Sequence, residues 1–453
     1  MKSVAGVVGI GLFAAVVAVA QDTRVVTEPK IPPACVVLKA ELTAGAKGLE
    51  PVDETKLDTV RVQKAIDGCD EGKAVEFAGD AGKNAFLIAP IMMKAGVTLV
   101  VDKGVTVFGS RNPRDYDNEP GSCGINKDGK TGCKPLIYGK GATSSGIMGD
   151  GVIDGRGGSK MLVDGKESKT WWDLGYASKT EGHQQVPRLL VMDHSDNFTL
   201  YRITLKNAAF FHVTYSNGDG FTAWGVKIDT PANAPNTDGI DPGASKNITV
   251  TQSFIRDGDD NIAIKGGSGP VTNMSVIHNH FYYGHGMSIG SETTAGVSKV
   301  RVTDLSLDGT TWGIRIKSEQ AYGGLVHDVV YDDVCIRGSK NPIYLDTDYS
   351  AHPKPGKGLI PVYQDIVLRN VRVSGGGKIQ LSAFDATHRI GIQFDGLVLD
   401  SPTNYKFEIH HADITFGPGP VNFRPAGEDS TARGTLKDGK LAGCADKFVA
   451  FPE

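Results

Sequence analysis

Short runs of alternating apolar and polar residues recur along the chain, often with a central Asp or Asn. Alternation with a period of two is typical of strands that bury one face, and a central polar residue favours a bend between two short strands. Three successive runs start at Asn247, Asn273 and Lys299, so they follow one another at intervals of 26 residues. Runs of this shape cover residues 197–205, 247–255, 273–281, 299–307, 328–336 and 365–373.

Further short strands are predicted between these runs, at 261–265, 287–289 and 313–317. No long amphipathic helical pattern intervenes after about residue 180, although a helix over 58–68 is predicted because Val62, Ala65 and Ile66 fall on one face. Strands at a near-constant period without crossover helices indicate a solenoid whose coils bury their inward side chains against one another. A β-sandwich or barrel fits less well, because hairpin turns rarely separate successive strands.

The N-terminus has the features of an export signal. Lys2 precedes an apolar, uncharged run over 4–17, and the small residues 18–20 form a cleavage site before Gln21. No later stretch is long and apolar enough to span a bilayer. We therefore predict a signal peptide over 1–20 and a secreted, extracellular chain over 21–453 that forms one catalytic domain. A net charge of -4 over 453 residues argues against a nucleic-acid or membrane-surface partner.

The six cysteines agree with an exported chain, because an even number of cysteines in such proteins favours disulfides and their spacing matches no zinc pattern. Cys123 and Cys133 flank a short Gly- and Lys-rich loop that a disulfide would close. Cys35 and Cys69 would tie down the N-terminal segment, which leaves Cys335 and Cys444 by elimination. Six cysteines allow about fifteen pairings, so the pairing beyond Cys123–Cys133 stays open.

Four polar segments are brought to neighbouring coils by the repeat: 236–238, 258–260, 284–286 and 315–317. Counted back from the start of the following run, Asp260, His285 and Arg315 occupy equivalent places on three successive coils, and Asp238 lies one coil earlier. Parallel strands stack about 4.8 Å apart. The spacing therefore predicts three carboxylates, an imidazole and two cations in one groove.

Such a set suits the hydrolysis of an acidic polysaccharide. One carboxyl group must protonate the leaving oxygen, while an ionised carboxylate activates water. Adjacent carboxylates raise at least one pKa, so one of them can stay protonated. Arg315 and Lys317, two residues apart on a strand, point to the same face and can bind a substrate carboxylate. Each motif alone is more often a turn, a solvated loop or an exposed strand face.

The four segments in their full length resemble the signatures of the polygalacturonase family of glycoside hydrolases, in that family's order and spacing. They are Asn-Thr-Asp-Gly-Ile-Asp-Pro over 236–242, Gly-Asp-Asp-Asn-Ile-Ala-Ile-Lys over 258–265, Gly-His-Gly-Met-Ser-Ile-Gly-Ser-Glu over 284–292 and Ile-Arg-Ile-Lys-Ser over 314–318. Residues 149–155, 221–224 and the Cys123–Cys133 region resemble bacterial endo-polygalacturonases in particular. The resemblance implies an all-β fold, a right-handed parallel β-helix of about ten coils with a short N-terminal capping helix.

The resemblance also implies catalytic roles. Asp259 matches the general acid, Asp238 and Asp260 match the pair that holds and activates water, and His285 matches a histidine that governs the protonation of the acid. The expected reaction is inverting hydrolysis of α-1,4 bonds between galacturonate units of pectin, without a cofactor or a metal ion.

Substrate-binding roles follow from the same motifs. Arg315 and Lys317 match cations that bind galacturonate carboxylates, Asn236 belongs to the first signature, and Tyr349 matches a tyrosine beside the bound sugar. The enzyme is expected to work as a monomer.

Several alternatives stay open at this stage. An exo-polygalacturonase or a rhamnogalacturonan hydrolase could use the same scaffold, and a pectate lyase would need calcium and an arginine base. A non-catalytic carbohydrate-binding β-helix would not need these carboxylates and cations on adjacent coils.

Overall fold

A computed structural model describes residues 21–129, 132–350 and 358–453 of the chain. The predicted signal peptide lies outside the described residues. Most strands belong to two long sheets in which all neighbours pair in parallel. Within the described ranges, no helix is long and apolar enough to cross a bilayer.

The larger sheet contains 20 strands, at Ala34–Lys39, Lys73–Ala78, Ala85–Ile88, Val97–Val101, Thr106–Gly109, Gly146–Met148, Val152–Asp154, Phe198–Tyr201, Thr204–Lys206, Asp219–Trp224, Lys227–Asp229, Lys246–Thr251, Phe254–Arg256, Val271–Phe281, Val297–Asp308, Leu325–Arg337, Val362–Ser374, Ile390–Leu399, Ala412–Phe416 and Thr431–Arg433. The smaller sheet contains 11 strands, at Ile91–Met92, Ile137–Lys140, Leu190–Asp193, Val213–Ser216, Ile240–Gly243, Ile262–Ile264, Met287–Ile289, Trp312–Lys317, Asn341–Asp346, Gly377–Ser382 and Tyr405–His410. Three short antiparallel ribbons join Ala44–Gly45 to Gly48–Leu49, Ile125–Asn126 to Gln184–Gln185, and Lys160–Val163 to Lys166–Thr170.

The register of the larger sheet confirms that the sequence repeat is one coil of a parallel β-helix. Val250 pairs with Val276, Val276 with Val302, and Val302 with Tyr331. All four side chains are fully buried in one hydrophobic core that extends from Ala40 to Phe423. Each fully buried side chain of this kind contributes about 1.5–3 kcal/mol relative to an exposed one. The eleven strands of the smaller sheet agree with the predicted number of about ten coils.

The predicted bends within the runs are single residues with a left-handed backbone. Asn247, Asn273 and Lys299 have φ of 56°, 58° and 53° at the start of their runs, and Asp304 and Asp333 have φ of 53° and 56° at their centres. Asn and Asp tolerate this region better than other residues with a Cβ, because their short polar side chains bond locally. Asn273 Nδ2 also donates to Asn247 Oδ1 at 3.4 Å, so the polar side chains stack from coil to coil.

Two α-helices lie outside the sheets. Helix α1, Thr59–Gly68, confirms the predicted helix and buries Val62 and Ile66 against the core. Helix α2, Trp171–Glu181, is not predicted from the sequence, and it begins with a capping box between Thr170 and Asp173. Three 3-10 helices cover Pro51–Asp53, Pro113–Tyr116 and Pro402–Asn404.

Three disulfides confirm the predicted Cys123–Cys133 bridge and decide the pairing that the sequence leaves open for the other four cysteines. They join Cys35 to Cys69, Cys123 to Cys133, and Cys335 to Cys444. The last of these spans a sequence separation of 109 residues and fastens the C-terminal segment to the larger sheet. A bridge across so long a loop removes more conformational freedom from the unfolded chain than a bridge across a short one.

Candidate active site

The motif residues come together on the smaller sheet. Leu190, Val213, Ile240, Ile262, Met287 and Ile314 pair in register along six successive coils. The residues two positions earlier continue this pairing through backbone bonds, such as His212 N–H to Asp238 O and Gly239 N–H to Asp260 O. We call them the catalytic row: Arg188, Phe211, Asp238, Asp260, His285 and Trp312.

The predicted equivalence of Asp260 and His285 is confirmed, and Asp238 lies one coil earlier as predicted, but the predicted equivalence of Arg315 is wrong. Arg315 pairs with Ser288 and therefore lies three residues further along its strand than His285 does on the coil before. Counting back from the following run misplaces it, because the paired positions Ile316 and Val326 are 10 residues apart in sequence, whereas Ile289 and Val297 on the coil before are 8 apart. The shift brings Arg315 and Lys317 over the carboxylate of Asp260.

Asp260 is held by three donors. Arg315 Nη1 and Ser288 Oγ donate to Oδ1 at 2.9 and 2.7 Å, and Lys317 Nζ donates to Oδ2 at 2.7 Å. The Asp260 side chain is only 1% exposed. Burial alone would raise its pKa, but the charges of Lys317 and Arg315 outweigh burial and hold the pKa of Asp260 well below its usual range. Asp260 is therefore an ionised carboxylate, and both predicted substrate cations contact it.

Asp259 is the most accessible of the three aspartates, with a side chain that is 20% exposed. Its Oδ1 lies 2.9 Å from Nδ1 of His285, and its Oδ2 accepts a bond from Asn236 Nδ2 at 3.4 Å. The backbone N–H of Asp260 also donates to Oδ1 at 3.0 Å. The two predicted residues Asn236 and His285 therefore orient Asp259 from either side.

Asp238 shares a cation with two other acids. Lys265 Nζ lies 3.8 Å from Asp238 Oδ2, 3.9 Å from Asp241 Oδ2 and 3.8 Å from Glu292 Oε2. The Asp238 side chain is 5% exposed, and its Oδ1 has no hydrogen-bond partner among the described residues. Burial first, then the charges of Asp241 and Asp259, raise the pKa of Asp238 well above its usual range. Burial also raises the pKa of Asp241 to about 7.

His212 fixes the backbone at Asp238. Its backbone N–H donates to the carbonyl of Asp238 at 2.8 Å, and its ring contacts the same oxygen through Nδ1 at 3.1 Å. The ring is fully buried, which lowers the pKa of His212 to about 4 and keeps it neutral. His212 therefore supports the site rather than facing a ligand.

Aromatic rings surround the cations. The guanidinium of Arg315 lies 4.0 Å from the ring centroid of Trp312, which packs edge-on against His285 at 4.7 Å. The ring of Tyr349 lies 5.9 Å from Lys317 Nζ, so the structure places this predicted substrate-binding residue beside the site. Cation–π contacts of this kind favour fixed orientations of Arg and Lys side chains.

One trio of side chains has the spacing of a metal site. Asp259, Asp260 and His285 offer atoms that all lie within 4.8 Å of one another. However, both oxygens of Asp260 already accept bonds from Arg315 and Lys317. Two adjacent cations disfavour a divalent metal ion, so the trio suits acid–base chemistry better.

The sequence did not assign roles to Asp241, Lys265, Ser288 and Trp312. Asp241 and Lys265 lie within the motifs that carry the family resemblance, but an Asp or Lys at the end of a motif does not by itself reveal a contact. Ser288 and Trp312 could have been found from the register, since they occupy the positions of Arg315 and His285 on neighbouring coils. Predicting that register from the sequence would require the lengths of the connections between coils.

Comparisons with known proteins agree with this geometry. The family model described as glycosyl hydrolases family 28 matches residues 69–415. An endo-polygalacturonase of Pectobacterium carotovorum subsp. carotovorum is 42% identical over 402 residues, which cover 88% of this chain and 94% of that protein. A polygalacturonase of Ralstonia nicotianae is 37% identical over an alignment of 513 positions, which covers 98% of this chain and 96% of that protein.

A solved structure leads to the same family. The polygalacturonase from Erwinia carotovora ssp. carotovora superposes with a TM-score of 0.79 at 40% identity, covering 87% of this chain and 99% of that chain. The parallel β-helix and the carboxylate site are thus accompanied by similarity along most of the sequence. The chain belongs to family 28 of the glycosyl hydrolases.

Proposed function

We propose that this protein is a secreted endo-polygalacturonase that hydrolyses α-1,4 bonds between galacturonate units of pectin. One observation carries the proposal: an accessible carboxyl that contacts a histidine, an ionised carboxylate held by two cations and a third, buried carboxyl lie together on two adjacent coils. Glycoside hydrolysis requires carboxyl groups in different protonation states. The relatives named as endo-polygalacturonases support internal cleavage rather than exo action.

The contacts support a distinct role for each aspartate. Asp259 is the general acid, because it is the most exposed of the three and His285 bonds to it. Asp260 supplies the ionised carboxylate, and with Asp238 it holds and activates the attacking water. Arg315 and Lys317 keep Asp260 ionised, while Tyr349 and the exposed parts of both cations face the uronate.

Export and a monomeric state belong to the same proposal. Three disulfides are characteristic of chains that fold outside the reducing cytoplasm. The residues assigned to the site all lie in one chain, which is the arrangement expected of an enzyme that works as a monomer. Size-exclusion chromatography with light scattering, and N-terminal sequencing of exported protein beginning at Gln21, test both statements.

The substrate is tested by the products formed over time. On polygalacturonate, we expect early release of mixed oligomers and a rapid fall in viscosity, because an endo enzyme cuts inside the polymer. Fully methyl-esterified pectin should be a poor substrate, because its units lack the carboxylate that the cations attract. Release of monomer alone would indicate exo action, and equal turnover of both polymers would contradict a carboxylate-specific site.

The charges around Asp238 predict opposite shifts in the pH dependence of turnover. Asp238 must be ionised to help activate water, and Asp241 raises its pKa while Lys265 lowers it. Asp241→Asn should therefore move the acidic limb of the pH–kcat profile to lower pH, and Lys265→Met should move it to higher pH. Glu292→Gln is the matched control, because Glu292 contacts the same lysine but its side chain is 39% exposed, so solvent screens its charge. Shifts of the same sign in the first two variants would contradict this arrangement.

A further inference from the structure

A cavity of about 730 Å³ lies beside the catalytic row, on the coils that precede Asp238. Its volume is within the usual range for ligand pockets, about 300–1,000 Å³. Met92, Tyr138 and Val191 line it and pair with one another in register, and the same line of residues continues through Thr214 to Asp241. The cavity therefore opens on the face of the smaller sheet that carries the active site.

Arg188 links this cavity to the catalytic row. It occupies the position of Asp238 two coils earlier, which corresponds to about 10 Å along the helix axis. Its guanidinium lies 5.1 Å from the ring centroid of Phe211 and 5.9 Å from that of Phe210, and these two rings stack on each other. The stacked rings fix the direction in which Arg188 presents its donors.

The charge of the cavity is not balanced by acids. Arg188 and Lys134 are its charged lining residues, and no Asp or Glu lines it within the described parts of the chain. Neither of the two cations forms an ion pair among those residues, whereas Arg202, which lines another surface cavity, pairs with Asp150 at 2.7 Å. The charges of Asp241 and Asp238 act on Arg188 from the coils that follow, but neither acid is close enough to form an ion pair with it. A planar guanidinium that is held by rings and makes no ion pair within the described residues is suited to a carboxylate ligand.

We propose that Arg188, with Lys134 in the lining of the same cavity, forms a second carboxylate-binding subsite for a uronate unit on the N-terminal side of the catalytic aspartates. This inference rests on the proposed function. It gives the groove a cation on each side of the reacting bond, because Arg315 and Lys317 lie on the coil after His285 and Arg188 lies two coils before Asp238. A polymer bound at both places is held across the catalytic row.

Binding can be measured without turnover in an Asp259→Asn background. We expect Arg188→Ala to weaken binding of an unsubstituted galacturonate octamer about tenfold, as expected for one lost charge-assisted hydrogen bond. Arg188→Lys should recover part of this loss. In the protein with Asp259 intact, Arg188→Ala should raise KM for the octamer by a similar factor and change kcat by less than about threefold. The KM effect should shrink with trimers that cannot span both subsites.

Arg202→Ala is the matched control, because Arg202 is an exposed arginine on the larger sheet, and it should leave the octamer affinity unchanged. Equal octamer affinity with and without Arg188 would overturn the subsite. A fall in kcat at every oligomer length with unchanged KM would also overturn it, since Arg188 would then act on the catalytic groups. If the wild-type protein binds the octamer through Arg188 but does not cleave it, the subsite stands and the proposed function fails.

Discussion

Asp259→Asn is expected to lower turnover of polygalacturonate at least a hundredfold while the protein keeps its fold. The substitution preserves the shape of the side chain and removes the proton that the leaving oxygen requires. General acid–base catalysis contributes about 10² to 10⁴ in rate. Of the three aspartates, Asp259 can be replaced with the least damage to the fold, because it is partly exposed and its partners Asn236 and His285 are polar and only partly buried.

The same loss is expected for Asp238→Asn and Asp260→Asn, measured as kcat on polygalacturonate. Asp260→Asn also leaves two buried cations without their carboxylate, so its activity must be normalised to the folded fraction. Asp150→Asn is a suitable control, because Asp150 is an exposed acid between two strands of the larger sheet, where it pairs with Arg202, and the site lies on the smaller sheet. An Asp259→Asn variant with more than a tenth of the wild-type turnover would remove Asp259 from the acid role.

Lys317→Ala is expected to impair both stability and turnover. Asp260 would stay buried with only Arg315 as its ionic partner, and breaking a buried ion pair by removing one side costs about 3–5 kcal/mol. Because its pKa is lowered in the folded protein, Asp260 stabilises the wild-type fold at every pH above the ordinary pKa of an aspartate. This contribution is lost only as the pH falls toward the pKa that Asp260 has in the folded protein. In the variant the pKa of Asp260 rises, so the carboxyl takes up a proton more readily and cannot activate water.

This reasoning predicts a characteristic pH dependence. The deficit in unfolding free energy of Lys317→Ala, measured by urea denaturation, should be largest near neutral pH. It should shrink as the pH is lowered toward roughly 4, where the variant carboxyl is protonated. Lys246→Ala provides the control, because Lys246 is an exposed lysine whose ion pair with Asp219 contributes at most about 1 kcal/mol. A deficit that is independent of pH would point to lost packing instead of lost charge compensation.

The fold could be predicted from the sequence because its repeat is local. Alternation around Asn247, Asn273 and Lys299 identifies strands and bends without knowledge of distant contacts, and the structure confirms the coil at each of them. Helix α2 could not be predicted in the same way. Its Trp171 is buried in the core, so tertiary packing and a capping box outweigh a weak helical pattern.

The composition of the site was predictable, but its internal contacts were not. Asp260 and His285 share one register position, as predicted, and Asp238 takes the same position one coil earlier. The longer connection after Arg315 instead moves that residue onto Asp260. Lys265 and Asp241 acquire their importance from burial around Asp238, which no local pattern reveals. Side-chain contacts between coils depend on the lengths of the connections and on how deeply each side chain is buried. Neither can be determined from the sequence without a three-dimensional structure.

The stereochemistry of the first product tests the central assignment most directly. With Asp259 as acid and Asp238 and Asp260 holding the water, the reaction is a single displacement, and the configuration at the anomeric carbon is inverted. NMR of polygalacturonate during the first turnovers should therefore show the β-anomer at the new reducing ends, before mutarotation produces the mixture. Initial release of the α-anomer would mean retention through a covalent intermediate, and it would contradict the roles given to all three aspartates.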